Sequence, residues 1–204
     1  MEHIQNKHNP NICLSGGADG ADLEWGRCAT AAGHDVIHWS FPGHRTRAPA
    51  DQIIRLTDQD LDLATDALNN AARTLEKSPP TRPIIARLTR RNYYQVAWST
   101  SCYAVTVIQD ATDEEAKRNI GGTAWATTMF AQMHLGSREM YLFDQEKDGW
   151  FRWDPDCQGW VAMPAGESPP RPRGVWAGIG SRDLRENGRD AIRRLMGVDG
   201  GRGA

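Results

Sequence analysis

The run Ser15-Gly16-Gly17-Ala18-Asp19-Gly20-Ala21-Asp22 constrains the fold of this chain more than any other segment. It follows a short apolar stretch, Asn11 to Ser15, which predicts a buried strand entering a tight turn at the paired glycines. Asp19 to Ala32 then reads as a helix, because Leu23, Gly26, Arg27 and Thr30 recur near helical spacing and Gly33 stands where a helix C′ residue belongs. His34 to Trp39 follows as an apolar, β-branched strand. Strand, glycine turn, helix and strand make a βαβ unit, which commits the chain to a parallel sheet.

The later elements fit the same plan. Phe41 to Pro49 is a basic loop, and Thr57 to Lys77 keeps a helical stripe that Ser78-Pro79-Pro80 ends. Ile84 to Ser99 is a second helix, carrying Arg87, Arg90, Arg91, Asn92, Tyr93 and Tyr94. Cys102 to Ile108 is a buried strand, followed by a charged excursion from Asp110 to Asn119 and a helix from Ala124 to Leu135. Met140 to Phe143 is a strand, and residues 150–163 alternate aromatic and polar residues as an appended Trp-rich β-hairpin. A Pro-rich linker, 164–173, leads to a strand from Gly174 to Ile179 and a helix from Asn187 to Met196. The expected fold is therefore α/β: a Rossmann-like parallel sheet flanked by helices, with the hairpin at one side and the C-terminal strand returning to the sheet. Residues 11–197 form the single expected domain, with 1–10 and 198–204 expected to be disordered.

At 204 residues and 39% hydrophobic, the chain can bury a substantial core. A net charge of −2 gives no long-range attraction to nucleic acid or anionic lipid, so anion binding must come from local donors. The four cysteines, Cys13, Cys28, Cys102 and Cys157, show no C-x-x-C pairing, which argues against zinc and against a disulfide scaffold. Cys13 and Cys102 lie in apolar runs and read as buried thiols. His34 and His38 are four apart but lie in a strand, so they read as structural and no metal site is expected. No run approaches the roughly 20 apolar residues of a membrane span, and the start lacks a signal-peptide core. The expected compartment is the cytoplasm.

Ser15-Gly16-Gly17, Gly121-Gly122-Thr123 and Gly180-Ser181-Arg182 each precede a predicted helix. In a parallel sheet such ends share one edge, where phosphates settle against glycine backbone and helix N-termini. Ser15, Thr123 and Ser181 supply hydroxyls, and Arg182 a guanidinium suited to phosphate. Ala18 and Gly20 belong to the same expected cradle. Asp19 and Asp22 either cap the first helix or face a ribose hydroxyl. Arg45, in the basic loop, and Arg91 are candidates for reaching the phosphate, and Trp39 or Trp125 for stacking on a base. The hairpin is read as an edge cover or dimer surface in preference to a lid.

The Ser15–Asp22 run, with its following helix and the Gly33-x-x-Val36-Ile37 strand, resembles the "SGGAxGAD" signature of the SLOG superfamily, the Smf/DprA and LOG proteins. Gly121-Gly122-Thr123 resembles the second glycine motif of that superfamily, and Gly178-Ile179-Gly180-Ser181-Arg182 the "GSR" that ends its first strand. The resemblance spans about residues 11–40 and 101–145 and the tail from 174. It implies a Rossmann-like sheet binding a nucleotide or nucleotide-derived ligand, and a homodimer; no cofactor is implied. Two departures stand out. The "GSR" strand comes last here, as in a circular permutation, and the catalytic glutamate of "PGGxGTxxE" is missing from Ile120 to Thr128.

A nucleotide-binding protein without turnover is therefore the first expectation. A phosphoribohydrolase cleaving N-glycosidic bonds of nucleoside 5′-monophosphates is the second, and it would need Asp22, Asp19 or Glu24 to stabilise the oxocarbenium or activate water. Single-stranded DNA binding through Arg90-Arg91-Asn92-Tyr93-Tyr94 is the third, disfavoured by the charge balance.

Overall fold

The computed structural model describes residues 4, 9–108, 121–137 and 139–198. The expected charged excursion at 110–119, and most of the two expected disordered ends, lie outside them.

Among the described residues, eight strands form one sheet. They are β1 (Ile12–Ser15), β2 (Asp35–Ser40), β3 (Ile53–Arg55), β4 (Ser101–Thr106), β5 (Met140–Asp144), β6 (Gly149–Asp154), β7 (Gly159–Ala162) and β8 (Val175–Gly180). Their spatial order is β3-β2-β1-β8-β4-β5-β6-β7. The strands from β3 to β5 run parallel, and the β6–β7 hairpin adds to β5 antiparallel, with Tyr141 opposite Arg152 and Phe143 opposite Trp150.

Among the described residues, the faces are covered by α1 (Ala21–Ala31), α2 (Asp58–Leu63), α3 (Thr65–Thr74), α4 (Pro83–Val96), α5 (Gly122–Met133) and α6 (Glu186–Met196). Successive strand residues point to opposite faces, and both faces are apolar here. Cys13, Tyr103, Val105, Trp176 and Phe143 pack under α1 and α6. Cys102, Ala104, Leu142, Ala177 and Ile179 pack with residues of α3 and α5, and Leu14, Ile37 and Trp39 lie with Tyr94 of α4. The result is a mixed α/β fold, a multistranded sheet flanked by helices, consistent with a generic Rossmann-like architecture. No helix among the described residues is long and apolar enough to cross a membrane.

The C-terminal strand is central. β8 pairs with β1 (Cys13 opposite Trp176) and with β4 (Tyr103 opposite Gly178). When β8 is counted first, the parallel strands β3-β2-β1-β8-β4-β5 read 4-3-2-1-5-6, a doubly wound order with its reversal between β8 and β4. An aromatic knot ties this region together. Trp25 and Trp176 meet edge to face at 5.6 Å, Trp176 meets Tyr103 at 5.8 Å, and the Trp25 indole N–H donates to the Ile179 carbonyl at 3.1 Å.

Two local expectations change. The stretch expected as one helix from Thr57 to Lys77 is two helices meeting at Ala64. Leu61, Ala64, Leu68 and Ala71 are all buried across the break, so periodicity alone reads it as continuous. β3 is missed because three residues carry no period. Cys13 and Cys102 are buried, as is Cys28, and all four cysteines are free.

Candidate ligand-binding site

At the reversal point, the ends of β4 and β8 open onto a cavity of about 460 Å³. Thr106, Ile179, Gly180, Ser181 and Arg182 form one wall, and Gly121, Gly122, Thr123 and Trp125 of α5 another. α4 supplies a third. Ile85, Leu88, Thr89, Arg91, Asn92 and Gln95 face the cavity at the helical spacing of one stripe. Lys77, Ser78 and Pro80 stand on the side of the preceding loop, with Ala18 and Asp22 on that of the Ser15–Asp22 turn. Three cations (Lys77, Arg91, Arg182) and one carboxylate (Asp22) are among the lining residues, which favours an anion.

The expected glycine cradles divide into two kinds. The Ser15–Asp22 turn and the end of β8 clasp each other. The Ser15 hydroxyl donates to the Gly178 carbonyl at 2.6 Å, Ala21 N–H donates to Ser181 O at 3.0 Å, and Gly180 N–H donates to Asp22 Oδ1 at 3.1 Å. A Cβ on Gly180 would lie 2.3 Å from the Val105 carbonyl oxygen, and one on Gly20 would lie 2.4 Å from that of Arg182. These glycines let backbone meet backbone. At Gly16 the space belongs to a side chain: a Cβ there would lie 1.5 Å from Arg91 Nη1. The Arg91 guanidinium thus occupies the place where phosphate was expected. Gly17, at φ +62°, accepts from the Thr46 hydroxyl.

Gly121 and Gly122 differ. A Cβ would meet nothing within 4 Å at Gly121 and only Asn92 Nδ2, at 3.8 Å, at Gly122. Asn92 Nδ2 donates to the Gly122 carbonyl at 2.9 Å, fixing the first turn of α5 beside α4. This helix start has no side-chain cap and no acid in its first turn, and its glycines line the cavity. It is the turn suited to receive an anion.

Arg91 is the electrostatic centre. Its side chain is 6% exposed, as is that of Asp22, and Nη1 lies 3.4 Å from Asp22 Oδ2. Nη2 donates to Asn92 Oδ1 at 3.3 Å, and Nε has no hydrogen-bond partner among the described residues. Burial pulls the guanidinium below its usual pKa, Asp22 opposing that shift. Burial likewise pushes the Asp22 carboxyl above its usual range, with Arg91 the main opposing influence. A buried pair with long contacts gains less from attraction than it loses in hydration.

The remaining expected site residues fall elsewhere. Asp19 is exposed and pairs with Arg47 at 2.8 Å, and neither Asp19 nor Asp22 caps α1, whose N-cap is Gly20. Glu24 is buried against α6, held by Arg189 at 2.9 Å and Arg193 at 3.0 Å, and does not line the cavity. Trp39 packs in an aromatic cluster, 5.3 Å from Tyr94 and 5.8 Å from Trp98. Ser15 and Trp39 are buried away from the cavity, and Arg45 is exposed in its loop. Among the expected residues, the structure brings Ala18, Asp22, Arg91, Gly121, Gly122, Thr123, Trp125, Gly180, Ser181 and Arg182 to the cavity. Sequence reasoning missed Lys77 and Gln95, and it read Asn92 only within the Arg90–Tyr94 cluster. A usable signal for Asn92 and Gln95 was polar residues at i, i+1 and i+4 along the Arg91–Gln95 stretch of an otherwise amphipathic helix. No cluster of three potential metal ligands occurs among the described residues.

Comparison with protein-family models, curated proteins and solved structures finds no match to this chain.

Proposed function

We propose that this chain binds a nucleotide or nucleotide-derived ligand in the cavity between β4 and β8. The observation that carries the reading is Arg91, a buried guanidinium with incompletely filled donors on a cavity wall. A phosphate seated between Arg91, Arg182 and the first turn of α5 would complete those hydrogen bonds. The far side, lined by Pro80, Ile85, Leu88 and Trp125, offers the apolar surface a base or similar ring requires. Kinship with the SLOG superfamily, in circularly permuted form, is supported by the doubly wound sheet that begins at its centre when β8 is counted first and by the contact of the Gly180-Ser181-Arg182 turn with the Ser15–Asp22 turn.

Titration calorimetry with nucleoside 5′-monophosphates, dinucleotides and the matching nucleosides tests the proposal. The phosphorylated compounds are expected to bind, with at least a tenfold loss in Arg182→Ala, equivalent to about 1.4 kcal/mol. Equal affinity for adenosine and its monophosphate, or no binding across the panel, would sink it.

A hydrolytic reading is narrowed to Asp22, since neither Asp19 nor Glu24 lines the cavity. Release of free base from a nucleoside monophosphate, lost in Asp22→Asn, would establish turnover; binding without release leaves a binding protein.

A further inference from the structure

We propose that anion binding in this cavity is coupled to a proton: the anion takes over the Arg91 guanidinium, and the Asp22 carboxylate left behind takes up one proton from solvent. This rests on the reading of the cavity as an anion site.

The geometry assigns the two oxygens of Asp22 different tasks. Oδ1 accepts from the Gly180 backbone N–H at 3.1 Å, which holds the carboxyl in place. Oδ2 faces Arg91 Nη1 at 3.4 Å, a contact long enough to be exchanged for a shorter one to a ligand. Both side chains line the cavity, so an anion reaching the guanidinium also comes close to Oδ2. Its arrival weakens the largest of the attractions that offset the burial of Asp22 and adds a like charge beside it. Both effects favour the neutral carboxyl, which can then donate a hydrogen bond to the anion.

The groups facing this pair do not substitute for Asp22. From α4 comes the Gln95 amide, and from β1 the Cys13 thiol, which burial and then Asp22 hold well above its ordinary range. From β2 and its following loop come His38 and His44, both pushed down to about 4, first by burial and then by Arg91. Arg182, after β8, adds a second cation near Arg91. Around the Asp22–Arg91 pair the cluster therefore adds a second cation, two imidazoles that are neutral at neutral pH and a thiol held protonated.

Linkage gives the sign. Between the Asp22 pKa of the free protein and its higher value in the complex, the complex holds one proton more. Affinity then falls as pH rises through that window, by up to tenfold per pH unit, and levels off outside it.

The test is calorimetry of the whole chain with inorganic sulfate, which does not titrate near neutral pH, and with adenosine 5′-monophosphate, whose own phosphate proton is followed by phosphorus NMR. Titrations in two buffers of different protonation enthalpy, over a pH series, are expected to show uptake of close to one proton per bound anion. In Asp22→Asn, which keeps the Gly180 contact, the uptake is expected to vanish and sulfate to bind more tightly. Binding with no buffer dependence in the unmodified chain overturns the inference and leaves the anion site standing, and that comparison needs no variant. Uptake that survives Asp22→Asn but is lost in His38→Asn or His44→Asn also overturns it, by assigning the proton to a histidine. No binding of either probe at any pH overturns the inference and the anion-site reading together.

Discussion

A guanidinium removed from water needs its donors filled, and Arg91 is held by two long contacts, to Asp22 and Asn92, in a space that only a glycine at position 16 leaves open. Arg91→Met would leave Asp22 buried without its counter-charge, and chemical denaturation at neutral pH is expected to show a loss of about 3–5 kcal/mol. Asp22 already sits above the ordinary carboxylate range because of burial, and losing Arg91 raises it further. A carboxyl with a raised folded pKa stabilises fully below its unfolded value and loses that contribution as pH rises through the folded one. The deficit of Arg91→Met should therefore shrink toward about pH 4, where carboxyls protonate even when unfolded. A deficit unchanged between neutral and acid pH would show that Asp22 does not depend on Arg91. Gly16→Ala tests the same space from the other side. Its Cβ would fall 1.5 Å from Nη1 and 2.4 Å from Asp22 Oδ2, so the flexible guanidinium must leave. A stability loss of about 1–3 kcal/mol is expected by thermal melting, together with weaker nucleotide binding.

At the scale of elements, three glycine-containing turns that look alike in sequence do different work. Two of them lock α1 onto β8, whereas the third opens the start of α5 to the cavity. Parallel alanine substitutions separate these roles. Gly180→Ala drives a methyl into the Val105 carbonyl and Ala21, neither of which can swing aside, and should cost at least about 1–3 kcal/mol. Gly122→Ala enters open space on the first helical turn and should stabilise by about 0.4–1 kcal/mol through the unfolded state. Comparable losses at both positions in urea titrations would mean that the α5 start is as tightly enclosed as the clasp. The contrast also explains what was legible. Ser15-Gly16-Gly17 marks a place where something approaches the backbone, but a glycine does not say what approaches. At Gly16 it is Arg91, more than 70 residues later in the chain, and at Gly180 it is the Val105 carbonyl. The βαβ unit and the buried strands could be read because they are local and periodic. The cavity could not, because α4 enters it through residues whose spacing reads equally well as a solvated face. Glu24 shows the same limit: in sequence it is an acid beside the glycine turn, and in the fold it is paired with Arg189 and Arg193 from the far end of the chain.

For the whole molecule, the order of strands in space matters more than their order along the chain. β8, the last of the described strands, lies at the centre of the sheet, so neither half of the parallel sheet is complete until the segment carrying it has inserted between β1 and β4. The entry to β1 and the exit from α6 meet at one end of the molecule. Asn11 Oδ1 accepts from Gly174 N–H at 2.9 Å, and three residues earlier the Arg171 guanidinium donates to the Met196 carbonyl. A chain opened at the exposed turn around Gly166 and joined from the end of α6 to the start of β1 would begin with β8 and preserve every described pairing in the sheet. Closing that connection differs from closing the present one only by a loop-length contribution, about 0.6 kcal/mol for each doubling. The permuted chain is expected to melt within about 2–4 °C of the original, the shift that about 1 kcal/mol produces at this size. It should also bind the same nucleotides. Refolding should be faster, because the sequence separation of β8 from β1 and α1 shortens by more than its separation from β4 lengthens. A permuted chain that folds only to a loosely packed state would show instead that late insertion of β8 is required for the Trp25–Trp176–Tyr103 knot to close.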